Sequence, residues 1–226
     1  MRRLIVIGNC GNGGDVIALV ESLKLKGELW EITGYLDDAG PQRGCLRQTP
    51  WLGKLSDATR WLPSEFAIAI GSESTYLMRE GLFLSTGLDI GHLVTLVHPF
   101  AQVSTHARIR RGVIVQHGCF IGDNAEIGTA VYIGPLAHVG HDSFVGAWSV
   151  IAPGSIICGR VHIEDCVYIG SGSCLRPGIR VGARALIGMG AVVTKDVPAG
   201  AVVVGNPGRI LKYVSSDRHA RERVYA

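Results

Sequence analysis

The sequence predicts a chain in two parts: an α/β N-terminal unit of Rossmann-like character, then an all-β parallel β-helix made of hexapeptide repeats. Two observations carry this. Every sixth residue between positions 97 and 193 is Val, Ile or Leu, seventeen times without a break, from Val97, Val103 and Ile109 through Val181 and Ile187 to Val193. The first ninety residues read instead as strand, glycine loop, helix, strand and paired acids. Helices and flat strands repeat their side chains about every 3.6 and 2 residues, so neither explains a period of six. Short strands coiled around a narrow apolar axis do.

The N-terminal elements follow in order. Leu4, Ile5, Val6 and Ile7 form a short apolar run, followed by Gly8-Asn9-Cys10-Gly11-Asn12-Gly13-Gly14. Val16, Leu19, Val20 and Leu23 then recur at helical spacing. A second strand over 32–36 ends in Asp37-Asp38, and a third over 66–70 leads through Gly71-Ser72-Glu73-Ser74 into a helix near 75–85. Glycines at such a loop let the backbone approach a phosphate at the positive end of the helix. A carboxylate at the tip of the next strand can accept hydrogen bonds from a ribose or base. The dinucleotide pattern GxGxxG fails, because Cys10 replaces its second glycine counted from Gly8 and Val16 its third counted from Gly11. That argues against NAD. A plain glycine turn joining strand to helix is the competing reading.

In the repeat region, the residue four after each anchor is small or β-branched: Ala101, Ala107, Val113, Cys119, Ala125, Val131, Ala137, Ser143, Ser149 and Ser155. It lies two before the next anchor and so shares the anchor's inward side. The residue after the anchor is often glycine, as at Gly122, Gly128, Gly134, Gly140 and Gly146, where a sharp corner is expected. Three hexads per coil give nearly six coils, a stack of roughly 27 Å at about 4.8 Å per coil.

Among the histidines, His141 stands two residues past anchor Val139, on an outward corner, with Asp142 beside it to hold the imidazole in one tautomer. A solvated corner histidine is the alternative. His138 occupies an outward strand position, His98 the junction between the two parts, and His117 and His162 exposed positions. No metal is expected: zinc needs ligands converging on one ion, and no two histidines of the repeat region lie 18 or 36 residues apart.

With 47% apolar residues the chain has the material for one or two cores. A net charge of +3 argues against nucleic acid or an anionic membrane as partner. No apolar stretch approaches a membrane span, and Met-Arg-Arg before four apolar residues does not read as a signal peptide. Six cysteines without a CxxC pair suit reduced packing residues in a cytoplasmic protein. The expected units are 1–92, 93–212 and a tail over 213–226.

The glycine loop over 8–14, Tyr35-Leu36-Asp37-Asp38, Ala69-Ile70-Gly71, Val97-His98-Pro99, Val139-Gly140-His141-Asp142, Ile151-Ala152-Pro153-Gly154 and Gly205-Asn206-Pro207 together carry a resemblance. Over residues 3–212 the chain resembles the bacterial acetyltransferases that modify nucleotide-linked amino sugars, and the related sialic acid O-acetyltransferases. The resemblance implies a left-handed β-helix, against the usual right-handed crossover, a homotrimer, and acetyl-CoA as co-substrate in the groove between neighbouring helices. It implies His141 as general base supported by Asp142, with acetyl-CoA against Gly159, Ser171 and Met189 and the Gly159 amide on the developing oxyanion. It places the nucleotide sugar on Cys10, Gly11, Asn12, Asp37, Asp38 and Gly71.

Three positions depart from the family pattern. Asn12 stands where the family often has histidine, and Ser72-Glu73 where asparagine is frequent. Val150 stands where a second histidine commonly meets acetyl-CoA; five residues past anchor Val145, it is expected to face outward. The expected reaction is direct N-acetyl transfer to a nucleotide-linked amino sugar, a 4-amino sugar in particular, without an acyl-enzyme. O-acetyl transfer to a sialic acid and a non-catalytic sugar-nucleotide-binding scaffold stay open.

Overall fold

The computed structural model describes residues 1–9, 11–41, 46 and 49–214. Strand β1 (Arg2–Ile7), helix α1 (Asn12–Leu25), β2 (Trp30–Leu36), β3 (Trp51–Gly53), β4 (Glu65–Ile68) and helix α2 (Arg79–Leu84) make up the N-terminal unit. The four strands are parallel, in the order β3-β2-β1-β4. Leu4, Ile5, Val6 and Ile7 are fully buried, as a central parallel strand covered on both faces requires. The spacing read as a helix is one: α1 buries Val16, Leu19, Val20 and Leu23. The helix expected near 75–85 opens as a 3₁₀ turn, Tyr76–Met78, before α2.

Seventeen two-residue strands follow, from Leu96–Val97 to Val192–Val193, one for each anchor of the six-residue series. They stack in parallel as three faces. The first face holds Tyr132–Ile133 and Val150–Ile151, the second His138–Val139 and Ile156–Ile157, the third Phe144–Val145 and His162–Ile163. From Val115 to Val193 every anchor is at most 2% exposed, and its partners Val113, Cys119, Ala125, Val131 and Ala137 are buried with it. Four serines also enter this axis without loss. Ser143 and Ser149 donate to carbonyls of the next coil, while Ser155 and Ser173 donate back across their own corners. A hairpin of Ala201–Val204 and Arg209–Tyr213 closes the stack.

The glycines that follow many of the anchors serve stacking, not a left-handed turn. Positive φ falls two residues later, at Asn124, Ala130, Leu136, Asp142 and Trp148 and on through Gly190, a six-residue series of its own. A Cβ on Gly122, Gly140 or Gly170 would come within 2.5–2.6 Å of backbone atoms in the next coil. At these corners the backbone of the neighbouring coil stands where a side chain would go.

The N-terminal unit sits on the first face. Val16, Leu19 and Val20 of α1 share one apolar cluster with Leu96, Ile114, Tyr132, Val150 and Leu186. On the other side of the sheet, Ile5, Ile7, Phe66, Phe83 and Leu93 pack with Ala130 and Trp148 from the corner leading into that face. This changes the reading of Val150. It does point away from the helix axis, but it is 1% exposed, because the N-terminal unit covers it.

Candidate functional site

Two places in the chain concentrate chemistry. The first is a cleft of about 610 Å³ where the C-terminal ends of β1, β2 and β4 meet the first face. One wall carries Asn9, Gly11, Asn12, Asp37, Asp38 and Gly71; the other carries Tyr132, Val150, Tyr168, Ala152 and Pro153. Ligand clefts of parallel α/β sheets lie at these strand ends, and the volume suits a small molecule. Of the residues expected to hold a nucleotide sugar, Gly11, Asn12, Asp37, Asp38 and Gly71 are brought together here. Cys10 lies outside the described residues.

The details differ from the simple picture of free carboxylates. Asp37 accepts a hydrogen bond from the Ala39 amide (2.8 Å), and Asp38 accepts one from the Leu55 amide (2.9 Å). Each spends one oxygen on loop structure. Asn12, at the start of α1, donates its side-chain amide to the Gly71 carbonyl (3.1 Å) and so ties the helix N-terminus to the loop after β4. At the rim the Ser72 hydroxyl bonds those of Ser74 and Thr75. Burial pushes the hydroxyls of Tyr132 and Tyr168 up from the ordinary tyrosine value, so both remain protonated.

The second place is the corner between the second and third faces. His141 Nδ1 lies 2.8 Å from Asp142 Oδ2, and Asp142 Oδ1 accepts the Asn124 amide at 2.9 Å. Those two bonds, from His141 first and Asn124 second, hold the Asp142 carboxyl below its usual range. Asp142 occupies the left-handed backbone region (φ 56), which Asp and Asn tolerate better than most residues. Bonding at Nδ1 turns Nε2 outward and fixes the tautomer in which it can accept a proton.

In the next coil, Gly159 lies flat against the ring. A Cβ there would come within 2.5 Å of His141 Nε2, so only glycine fits while the imidazole keeps this position. Among the described residues the coil-to-coil ladder bonds Cys158 N to Leu175 O and Arg160 N to His141 O, but gives the Gly159 amide no backbone acceptor. Burial, with Cys174 second, pushes the Cys158 thiol up, away from the thiolate a nucleophile needs.

Ser171 and the 79%-exposed Met189 stand one coil apart on a different edge, between the first and second faces, above Pro153 of the cleft. The structure therefore does not bring all predicted site residues together. His141, Asp142 and Gly159 border one edge of the second face; the cleft, Ser171 and Met189 border the other. Six residues of extended coil, up to roughly 20 Å, separate the two edges.

The other histidines find ordinary packing. His138 stacks on Phe120 at 4.7 Å and His162 on Phe144 at 4.8 Å, and His98 is buried beside His117 and Phe100. The sequence reading missed His106, which pairs with Asp123 at 2.8 Å across coils, and Asn124 behind Asp142. The 18-residue coil would have shown Asn124 beneath Asp142. Among the described residues no three His, Cys, Asp or Glu side chains are placed to hold a metal ion, and no helix is long and apolar enough to cross a membrane.

This architecture defines a class. Residues 160–195 match the family model described as the hexapeptide repeat of succinyl-transferase. Over 93% of this chain and 99% of the other, the structure superposes on the acetyltransferase domain of PglB from Neisseria gonorrhoeae in complex with acetyl coenzyme A, with TM-score 0.81 and 29% identity. A histidine mutant of perosamine N-acetyltransferase from Caulobacter crescentus, in complex with CoA and GDP-perosamine, aligns over 94% of this chain and 98% of its own, with TM-score 0.79 and 28% identity. Over 78 residues, the chain is 42% identical to tetrahydropyridine-dicarboxylate N-acetyltransferases of Staphylococcus aureus; that match covers 34% of the chain and about a third (32%) of those curated relatives. In fold and over nearly its whole length the chain is similar to bacterial sugar acetyltransferases built on a left-handed β-helix.

Proposed function

We propose that this protein is an acetyl-CoA-dependent N-acetyltransferase acting on the amino group, in particular a 4-amino group, of a nucleotide-linked sugar. The observation that carries the reading is His141, held by Asp142 with Nε2 against the flat surface of Gly159. The nucleotide sits in the cleft of the Rossmann-like unit, residues 1–92, on Gly11, Asn12, Asp37, Asp38 and Gly71. Cys10 lies between Asn9 and Gly11 in the sequence. The sugar amine attacks the thioester carbonyl of acetyl-CoA, His141 Nε2 takes its proton, and Gly159 N–H holds the oxyanion. Collapse of the tetrahedral intermediate expels the CoA thiolate and leaves the amide. No acyl-enzyme is required, and the raised Cys158 thiol is in keeping with that.

The β-helix domain, 93–212, supplies the donor site. Because one chain holds the cleft and His141 on opposite edges of the second face, a second copy must bring its edge alongside. The homotrimer of the resemblance does so, with acetyl-CoA between chains against Gly159, Ser171 and Met189. Perosamine N-acetyltransferase, which aligns over 94% of this chain, is by name an N-transferase, and that favours N- over O-transfer. The test is acetyl-CoA consumption over a panel of UDP-, GDP- and dTDP-linked amino sugars and free and CMP-linked sialic acids. Turnover with one nucleotide-linked amino sugar is expected. Turnover with a sialic acid alone, or with none of the panel, overturns the reading.

A further inference from the structure

Arg79 is 1% exposed, yet it forms no ion pair with any carboxylate among the described residues. Its two terminal nitrogens donate to the carbonyls of Ile70, two residues past β4, and Ala130, on a corner of the β-helix. Its Nε is buried with no partner. Burial lowers its pKa only to about 10, so the group is still charged at neutral pH. A buried cation without a counter-ion is costly to fold, and backbone carbonyls alone are an incomplete answer to it.

The position of the charge supplies the rest. A Cβ on Gly71 would come within 2.8 Å of Arg79 Nη1 and 3.4 Å of the Asn12 side-chain nitrogen, so the guanidinium lies directly behind the part of the cleft wall made by Gly71 and Asn12. The described lining of that cleft contains Asp37 and Asp38 but no Lys or Arg. A doubly charged diphosphate entering there faces carboxylates and finds positive potential in the α1 N-terminus and in Arg79 behind the wall.

We propose that Arg79 is a positioning residue for the diphosphate of the nucleotide sugar: a buried, solvent-shielded cation that balances the ligand's charge through the wall without touching it. The inference rests on the nucleotide-sugar reading above. Two unit charges about 7 Å apart at an effective dielectric near 20 attract enough to change affinity by a factor of roughly ten to fifty. The ligand in turn supplies the counter-ion that Arg79 lacks among the described residues.

The experiment measures dissociation constants of the wild type, Arg79→Gln and Arg79→Lys for GDP, UDP and dTDP and for the matching uncharged nucleosides, with assembly checked by light scattering. Arg79→Gln should lose at least tenfold for the diphosphate while the nucleoside changes less than about threefold, and Arg79→Lys should keep most of the preference for diphosphate. Equal losses for diphosphate and nucleoside in Arg79→Gln would make the residue a structural clamp and overturn the proposal. If Arg79→Gln does not assemble, Arg79→Met, which keeps the apolar stem without the charge, is read the same way at pH 7: a loss selective for the diphosphate is expected, and equal losses for diphosphate and nucleoside overturn the proposal. A wild type that binds none of the three diphosphates brings down the nucleotide reading and this inference together.

Discussion

Two histidine–carboxylate pairs share one edge of the β-helix: His141 with Asp142 and, two coils away, His106 with Asp123. Both bonds measure 2.8 Å between Nδ1 and a carboxylate oxygen. Both carboxylates take a second donor, Asn124 for Asp142 and the Ser104 hydroxyl for Asp123, and both are held below the usual carboxylate range by these bonds. The difference lies above the ring. Eighteen residues on from His141 is Gly159, which offers a bare backbone surface and an amide; eighteen on from His106 is Asn124, already engaged with Asp142. A paired imidazole is thus common chemistry on this edge. Its surroundings decide whether it can serve a reaction.

The strongest test of that contrast removes the ring. His141→Ala is expected to lower turnover by at least the roughly hundredfold typical of a lost general base. His141 is an outward corner residue, so coil packing and assembly should survive. Near-normal kcat in a correctly assembled variant would remove the site from this edge altogether.

Moving the ring should cost less. In Gly159→Ala the new Cβ would stand 2.5 Å from Nε2, and the exposed end of a histidine side chain can swing aside with little strain on the coil. The expected result is an unfolding midpoint close to wild type and kcat reduced roughly ten- to a hundredfold by misplacement of the base. A large fall in stability with normal kcat in the surviving protein would show that Gly159 serves coil packing alone, like Gly122 and Gly140.

These cases also mark what the sequence could show. The six-residue series announces the β-helix because each coil buries the same positions, so packing writes itself into local periodicity. His141 and Asp142 are legible because they are adjacent. The pairing of His106 with Asp123 spans 17 residues, and the setting of Gly159 under an imidazole spans 18; both depend on coil stacking, which a reading along the chain does not project. Val150 shows the other limit. Its hexad position correctly points it away from the axis, but the repeat cannot say that a separate unit, folded from the first ninety residues, covers that face. The glycines after the anchors were visible while their reason was not, because close approach between coils is a property of the stack.

Removing the charge of the partner should have a smaller effect. Asp142→Asn keeps the shape but has one acceptor oxygen where His141 and Asn124 use two, and no charge to hold the tautomer, so kcat should fall on the order of tenfold. The pH dependence has a definite sign. A carboxyl whose folded pKa is depressed stabilises the fold above its unfolded value, about 3.9, and that contribution is lost as pH falls through the folded value. Acid unfolding curves of wild type and Asp142→Asn should therefore converge below about pH 4, and a difference that persisted or widened in acid would contradict the bonding seen here.

The smallest expected effect belongs to the second pair. His106 is 76% exposed and Asp123 64%, and ion pairs so open to water add little to stability because solvent screens the charges and two mobile side chains must be ordered. No glycine surface lies one coil on in its column, and its corner is two coils from the His141 ring. His106→Ala should leave kcat and both Michaelis constants within about twofold of wild type, the scale of other solvent-screened surface pairs. Steady-state kinetics on this variant and on His141→Ala, prepared side by side, reads the contrast directly. A loss in His106→Ala approaching that of His141→Ala would mean that the edge works as a connected proton path through Asp123 and Asn124, and that a glycine surface beside the imidazole is not what separates a working pair from an ornamental one.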